Sequence, residues 1–344
     1  MTVSSLSPQS LSLSDGEVAE LLDHWYGLAQ VELAPMQSEL STVSRVSLVD
    51  GRRFAFKALH RTERDFAIAE WRIDAMRRLD ALGIPAGATV LSRSGAPLQA
   101  ATSSHGPIMV HLGEWLPGRP LEEVAPTDTV MRAVGMTAAR VQSALSGSRK
   151  PPELIEHPWE MTRTSETIAG TRDRIADGAA RELVDAAAEQ FLNRVASRLS
   201  SLPHGVVHHD LHDSNLLIDE STGAVSGVLD FGDMVWGPRI AELAIAAGYG
   251  GRAAADPVAA FLQIVRGWAA VAPLTEAEAE VVFDAAIGRL AVNLSVWQSR
   301  SGSERGEYAL ARSARTVRTL EAFLAADRGE VVSQVRELTL QQHS

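Results

Sequence analysis

Hydrophobic and polar positions follow two regimes along this chain. In the first third, stretches alternating with a period of two are interleaved with helical stripes, and beyond residue 126 the helical period dominates. Ser14 and Glu17 form a capping box ahead of apolar Val18, Leu21, Leu22 and Trp25, which predicts a helix with one buried stripe that Gly27 ends. The Ser-rich residues 1–13 before it are expected to fray. Alternating runs predict strands over 31–35, 43–49 and 53–59, the last two joined by an Asp50-Gly51 turn. A helix is predicted over 63–82, closed by Gly83 and Pro85, and two more strands over 88–92 and 108–113. The prolines and glycine of 114–120 break any regular element and read as a connector. Further helices are predicted over 127–145, 165–200 (one or two), 239–247, 254–270, 275–300, 303–326 and 328–341. The segment with Pro151, Pro152, His157, Pro158 and Trp159 is expected to be a surface loop.

Residues 205–242 interrupt the helical regime. Val206 and Val207 predict a short buried strand that delivers His208 and Asp210 into a loop. The apolar run 216–218, the turn residues 219–223 and the run 224–229 predict a hairpin that returns Asp230 beside Asn215. The order acid, amide, acid is what phosphoryl transfer needs. Asp210 can orient a hydroxyl and accept its proton, while Asn215 and Asp230 offer hard oxygen ligands for Mg2+ on nucleotide phosphates. His-x-Asp-x-x-x-x-Asn followed by Asp-Phe-Gly matches kinase catalytic and metal loops. Lys57 in the third predicted strand, among Ala55, Phe54, Phe56 and Ala58, needs an anion to offset its burial. Ala55-Phe56-Lys57 matches the kinase strand that puts a small residue under adenine and a lysine on the phosphates. Glu70, in the middle of the next helix, is the expected clamp for Lys57, with Glu63 as the alternative.

Composition narrows the partners. The 344 residues carry a net charge of −11, which argues against nucleic acid or an anionic membrane and suits a cationic small molecule. No cysteine is present, so disulfides and thiolate metal sites are excluded. No basic and apolar leader and no long apolar run is found, and a cytoplasmic enzyme is expected.

The stretch 205–242 resembles the aminoglycoside phosphotransferase and choline kinase-like superfamily of small-molecule kinases. Instead of a long activation segment, Trp236-Gly237-Pro238 leads at once into an apolar helix. Trp25-Tyr26-Gly27-Leu28, Leu116-Pro117-Gly118-Arg119-Pro120 and Asp230-Phe231-Gly232-Asp233 with Glu242 look most like the hydroxylysine kinase-like group, which includes modules fused to class III aminotransferases. The resemblance implies an α+β, protein-kinase-like two-lobed fold. Its N-lobe, residues 1–112, would hold a five-stranded antiparallel sheet plus helix, with a hinge at 113–120 and a mainly helical C-lobe at 121–344. It implies ATP or GTP as co-substrate, with Lys57, Glu70, Ala55, Ser41, Thr42 and the backbone of Glu114, Trp115 and Leu116 on the nucleotide. The group's loop usually resembles Ser-x-Asp-Gln-Asn, whereas this chain has Ser38-Glu39-Leu40-Ser41-Thr42-Val43 without glycine. His208 and Glu242 are expected to be structural, His208 holding Asp210 and Glu242 bonding the loop backbone.

The acceptor is expected to be a small hydroxylated amine or amino acid. Asp213 and Asp233 are the acids nearest the expected acceptor, and Arg239 or Arg119 the cation for an amino-acid carboxylate. Aminoglycosides, choline, ethanolamine and homoserine are alternatives. Two readings of other classes stay open: a metallohydrolase built on His204, His208, His209 and His212 with Asp210 and Asp213, and a kinase fold that binds a metabolite without turnover.

Overall fold

A computed structural model of the chain describes residues 10–38, 40–301 and 306–340. The chain divides into two compact units, Met1–Leu116 and Pro117–Ser344. In the first, helix α1 (Asp15–Tyr26) precedes strands β1 (Glu32–Met36), β2 (Thr42–Ser47) and β3 (Arg53–His60). Helix α2 (Glu63–Ala81) and strands β4 (Gln99–Ser103) and β5 (Gly106–Glu114) follow. The strands form one antiparallel five-stranded sheet in the order β1-β2-β3-β5-β4.

The period of two in β3 explains its place at the centre. Phe54, Phe56 and Ala58 are buried on one face with Val46, Val110, Leu112 and the α1 residues Val18 and Leu22. On the opposite face Leu59 packs with Met109, Leu98 and the α2 residues Ile73 and Phe66. Burying a side chain such as Phe56, which has no exposure, contributes about 1.5–3 kcal/mol. The capping box at Ser14 is present, and Gly27 closes α1 in the left-handed conformation at φ 70°.

Two expectations for this unit are corrected. Residues 88–92 form no strand; Thr89 makes a single bridge to Gly113, and the sheet's fifth member is β4 at Gln99–Ser103. Gln99, Ala100, Ala101, Thr102 and Ser103 are small or polar, so hydrophobicity does not mark the strand. The segment before α1 is also less frayed than its composition suggests. Leu11 and Leu13 are 3% and 8% exposed, and Leu11 N–H donates to the Leu40 carbonyl at 3.2 Å. Residues 1–9 lie outside the described ones.

The second unit starts with β6 (Arg119–Pro120), α3 (Asp128–Leu145), α4 (Thr164–Thr171) and α5 (Gly178–Phe191). Four short strands follow: β7 (His204–Val207), β8 (Leu216–Asp219), β9 (Ala224–Val228) and β10 (Val235–Pro238). Helices α6 (Ile240–Gly250), α7 (Pro257–Ala269), α8 (Glu276–Gln298), α9 (Gly306–Ala325) and α10 (Arg328–Leu340) complete it. Thr127 and Thr275 cap α3 and α8 through their side chains. Every residue of α6 is buried, and α8 is buried along nearly its whole length, as apolar character all round a helix requires. α3 and α7 cross so closely that a Cβ on Gly135 or Gly267 would meet the backbone of Ile264 or Arg132.

Trp236, Gly237 and Pro238, read above as a lead into the helix, are a strand: β10 pairs antiparallel with β7. β8 and β9 form the predicted hairpin, and β6 adds to its edge with Arg119 opposite Ile218. Among the described residues no helix is long and apolar enough to cross a membrane.

Candidate active site

The site in the second unit is built on two strand ends. β7 emerges from the core with Val206 and Val207 fully buried and turns into the loop 208–215, where His209 takes the left-handed conformation at φ 69°. α6 supports that loop from below. Glu242, with no exposure, accepts the His208 N–H at 2.8 Å and the His209 N–H at 3.3 Å through Oε2. His208 Nδ1 accepts the Asp210 N–H at 3.3 Å, and its Nε2 lies 3.1 Å from the Leu229 carbonyl. These partners assign the neutral tautomer with the proton on Nε2, in keeping with burial, which lowers this ring's pKa. The imidazole therefore ties the loop to the end of β9.

The third tie is Asn215. Its carbonyl accepts the Leu229 N–H at 2.9 Å, which draws the residue before Asp230 alongside. Its Nδ2 donates to the Asp210 carbonyl at 3.0 Å and to Asp210 Oδ2 at 2.7 Å. With Nδ2 so committed, Oδ1 is the atom left for a cation. Asp230 is exposed and holds φ 55°, ψ 81°, with Oδ1 accepting the Gly232 N–H at 3.2 Å. An amide oxygen and an exposed carboxylate on adjoining strand ends are hard donors of the kind Mg2+ takes.

Asp210 has a neighbour that sequence reasoning missed. Arg289 of α8, 4% exposed, reaches Asp210 Oδ1 at 3.3 Å and donates to the Trp159 carbonyl at 2.6 Å. Its guanidinium lies 5.0 Å from the Trp159 ring centre. The segment expected to be a surface loop thus packs on the site: Met161 N–H also donates to His209 Nε2 at 3.3 Å, and His157 Nε2 lies 3.2 Å from Asp233 Oδ1. Burial raises the Asp233 pKa, but the His157 hydrogen bond and charge, with Arg289, outweigh it and hold the carboxyl well below the usual range. On His212 burial opposes a charge, yet Asp210 and Asp213 prevail and raise its pKa to about 9.

Several assignments change. Asp213, expected to face an acceptor amine, is 2% exposed and gripped by Arg252 at 2.5 and 3.0 Å; an amine would have to displace that guanidinium. Arg252 also donates to Thr316, which donates to Asn293. Arg239, expected to bind a carboxylate, is already bidentate to buried Glu278 at 2.7 Å on both contacts. Arg119 pairs with Glu220 and Glu123 at an exposed position.

In the first unit Lys57 is half-buried on β3 opposite Val43 and His111, with Ala55 on the same face. Burial, followed by the Lys57 charge, lowers the His111 pKa to about 4. Glu70 is exposed on α2. The Thr42 hydroxyl, expected on phosphates, instead donates to the Leu11 carbonyl at 3.0 Å and accepts the Leu13 N–H at 2.9 Å. Ser41 is 9% exposed with its hydroxyl 2.6 Å from that of Ser38. Glu114 N–H donates to the Ala88 carbonyl and Trp115 N–H to that of Arg53, so neither is left to read a base.

The rival metal site does not assemble. His208 and His209 are buried and bonded as above, and among the described residues no group of three His, Cys, Asp or Glu side chains could hold a metal ion.

Burial on Glu242 has a measurable consequence. Burial, with a smaller addition from the Asp210 charge, raises its pKa to about 8 against the two N–H bonds that lower it. The native state then keeps a proton that the unfolded chain releases, so stability falls as pH rises from about 4.5 to about 8. Glu242→Gln removes this titration while keeping an acceptor oxygen. Its denaturant midpoint, relative to wild type, should climb across that window; parallel pH profiles would show that Glu242 is ionised throughout.

A five-stranded sheet with its lysine strand and a helical unit with an acid–amide–acid loop define a kinase-like phosphotransferase fold. The sequence profile of the phosphotransferase enzyme family matches residues 33–274. The chain belongs to that family. It is similar to hydroxylysine kinase of Xenopus laevis, 24% identical over 304 residues, 82% of this chain and 81% of the relative. Hydroxylysine kinase of Danio rerio is 24% identical over 335 residues, 93% of this chain and 94% of the relative. Among solved structures, a microcompartment-associated aminopropanol kinase has a TM-score of 0.69 at 16% identity, covering 90% of this chain and 98% of that one. An amicoumacin kinase in complex with AMP-PNP, Ca2+ and Ami has 0.68 at 16% identity, covering 92% and 97%. The protein is a small-molecule kinase of this family.

Proposed function

We propose that the protein transfers the γ-phosphoryl group of ATP or GTP to the hydroxyl of a small amine or hydroxylated amino acid. The acceptor oxygen attacks the γ-phosphorus, its proton passes to Asp210, and the bond to the β-phosphate oxygen breaks to release nucleoside diphosphate. The observation that carries this is the Asn215 amide. By donating to both the carbonyl and Oδ2 of Asp210, it fixes the base and leaves Asp210 Oδ1, which has only the long Arg289 contact, for the acceptor hydroxyl. Asn215 Oδ1 and Asp230 are assigned to Mg2+, which supplies charge neutralisation on the phosphates when bound. Lys57 is assigned to the nucleotide phosphates and Glu70 remains the proposed clamp. Thr42 is withdrawn because its hydroxyl is committed, and Asp213 and Arg239 leave the acceptor set for the same reason. Asp233, 27% exposed beside His157, stays in it.

The experiment is a coupled assay of nucleoside diphosphate release over hydroxylated amines, amino acids, choline and aminoglycosides, with ATP and GTP in parallel. Acceptor-dependent, Mg2+-dependent release for an amine or amino acid is expected. A preference for neutral sugars or anionic acceptors lacking an amine would overturn the acceptor class. Binding of a hydroxylated metabolite with no nucleotide-dependent release would favour a binding role without turnover, a reading supported by the committed Thr42 hydroxyl and the committed N–H groups of Glu114 and Trp115.

A further inference from the structure

Arg289 is poorly matched for so dry a position. A guanidinium is all donors and no acceptor. Here Nη1 donates to the Trp159 carbonyl at 2.6 Å and Nη2 makes a long contact of 3.3 Å to Asp210 Oδ1. Its Nε is buried with no partner among the described residues. Two other arginines of the same unit set the contrast. Arg252 holds Asp213, and Arg239 holds Glu278, each through Nε and Nη2 together. That bidentate fork is the strong way to pair a guanidinium with a carboxylate. Of these three, Arg289 has no carboxylate across its Nε–Nη2 edge. The Trp159 and Tyr249 ring centres lie 5.0 and 5.9 Å from its guanidinium carbon, and a pairing made beside such apolar surfaces is the stronger for it.

Asp210 dictates what meets that edge. Its Oδ2 accepts from Asn215 at 2.7 Å and faces His212 Nε2 at 3.4 Å. Oδ1 has the long Arg289 contact. An acceptor hydroxyl giving its proton to Asp210 therefore comes to Oδ1 and lies beside Nη2 of Arg289.

We propose that Arg289 is a specificity-determining residue that receives a carboxylate of the acceptor, placed only a few bonds from the reacting hydroxyl. This rests on Asp210 being the base, as proposed above. The carboxylate takes the Nε–Nη2 edge while the hydroxyl meets Asp210 Oδ1, so that a short hydroxy amino acid is bound with its reacting oxygen at the base. An amino alcohol leaves that edge unfilled.

Matched acceptors differing by the carboxylate test this: threonine against isopropanolamine, homoserine against propanolamine, and the longer hydroxylysine against its decarboxylated diamine. Diphosphate release is measured for wild type, Arg289→Gln and Arg289→Lys. Wild type is expected to favour the carboxylated member of the short pairs by about tenfold or more in kcat/KM, the worth of one charge-assisted bond. Arg289→Gln should erase that preference through KM of the carboxylated member, whatever loss of kcat both members share. An equal loss for both members, carried by kcat, would make Arg289 a positioning residue for Asp210 and overturn the inference with the kinase reading intact. A wild-type preference for the decarboxylated members overturns it likewise. Should Arg289→Gln not fold, Arg289→Lys keeps the charge and loses the fork; an unchanged preference there also overturns it. Absence of nucleotide-dependent phosphorylation of any hydroxylated compound is instead a failure of the proposed function, and the inference falls with it.

Discussion

Replacing Asp210 with asparagine should lower turnover about 10²–10⁴-fold, the range for losing a general base, with the fold left standing. The local cost is specific. Asp210 Oδ1 and Oδ2 each face a donor, Arg289 and Asn215. A carboxamide has one oxygen, so one of those contacts is lost and an N–H2 is set against a donor. That perturbs the loop without opening the core, because the ties from Glu242 and His208 go to backbone groups that the substitution does not touch. Thermal unfolding near the wild-type midpoint, together with a collapsed rate for every acceptor, is the expected result. A purified Asp210→Asn enzyme with wild-type phosphotransfer would sink the assignment of the base.

The second large effect is expected at Asp230. Asparagine is the informative replacement because φ 55° lies in the left-handed region, which Asn tolerates better than Ala does. Asp230→Asn therefore keeps the backbone and removes the charge. Loss of essentially all Mg2+-dependent turnover is expected, and with it the Mg2+ dependence of nucleotide affinity, read by calorimetry with and without chelator. Nucleotide affinity that still rises with Mg2+ as in wild type would take Asp230 out of the metal set. The two variants separate cleanly: Asp210→Asn should retain the Mg2+ dependence of nucleotide binding that Asp230→Asn loses.

Much of the fold was legible in local pattern. The capping box at Ser14, the alternation in β3, the hairpin of β8 and β9 and the helical run after residue 126 each depend on residues close together in sequence. Where pattern failed, the cause was weak local signal. β4 has small or polar residues in place of large apolar ones, and β10 contains Gly237 and Pro238 yet pairs with β7, with Val235 and Trp236 opposite Val207 and Val206.

The sequence by itself determined the chemistry-bearing loop. Asp210, Asn215 and Asp230 sit at spacings that a strand, a loop and a hairpin convert into neighbours, and those elements are specified by the residues between them. Only the tertiary structure decided which charges are already spent. Asp213 and Arg239 carry the right charge for a ligand, but Arg252 and Glu278, distant in sequence, neutralise them. Arg289 lies 79 positions from Asp210, and its local signal is only that of a lone arginine between Gly288 and Leu290 on an apolar helix, which needs an anion as surely as Lys57 does. Pairing of charges across such separations follows from how helices pack, and packing is a property of the assembled core rather than of any stretch of chain.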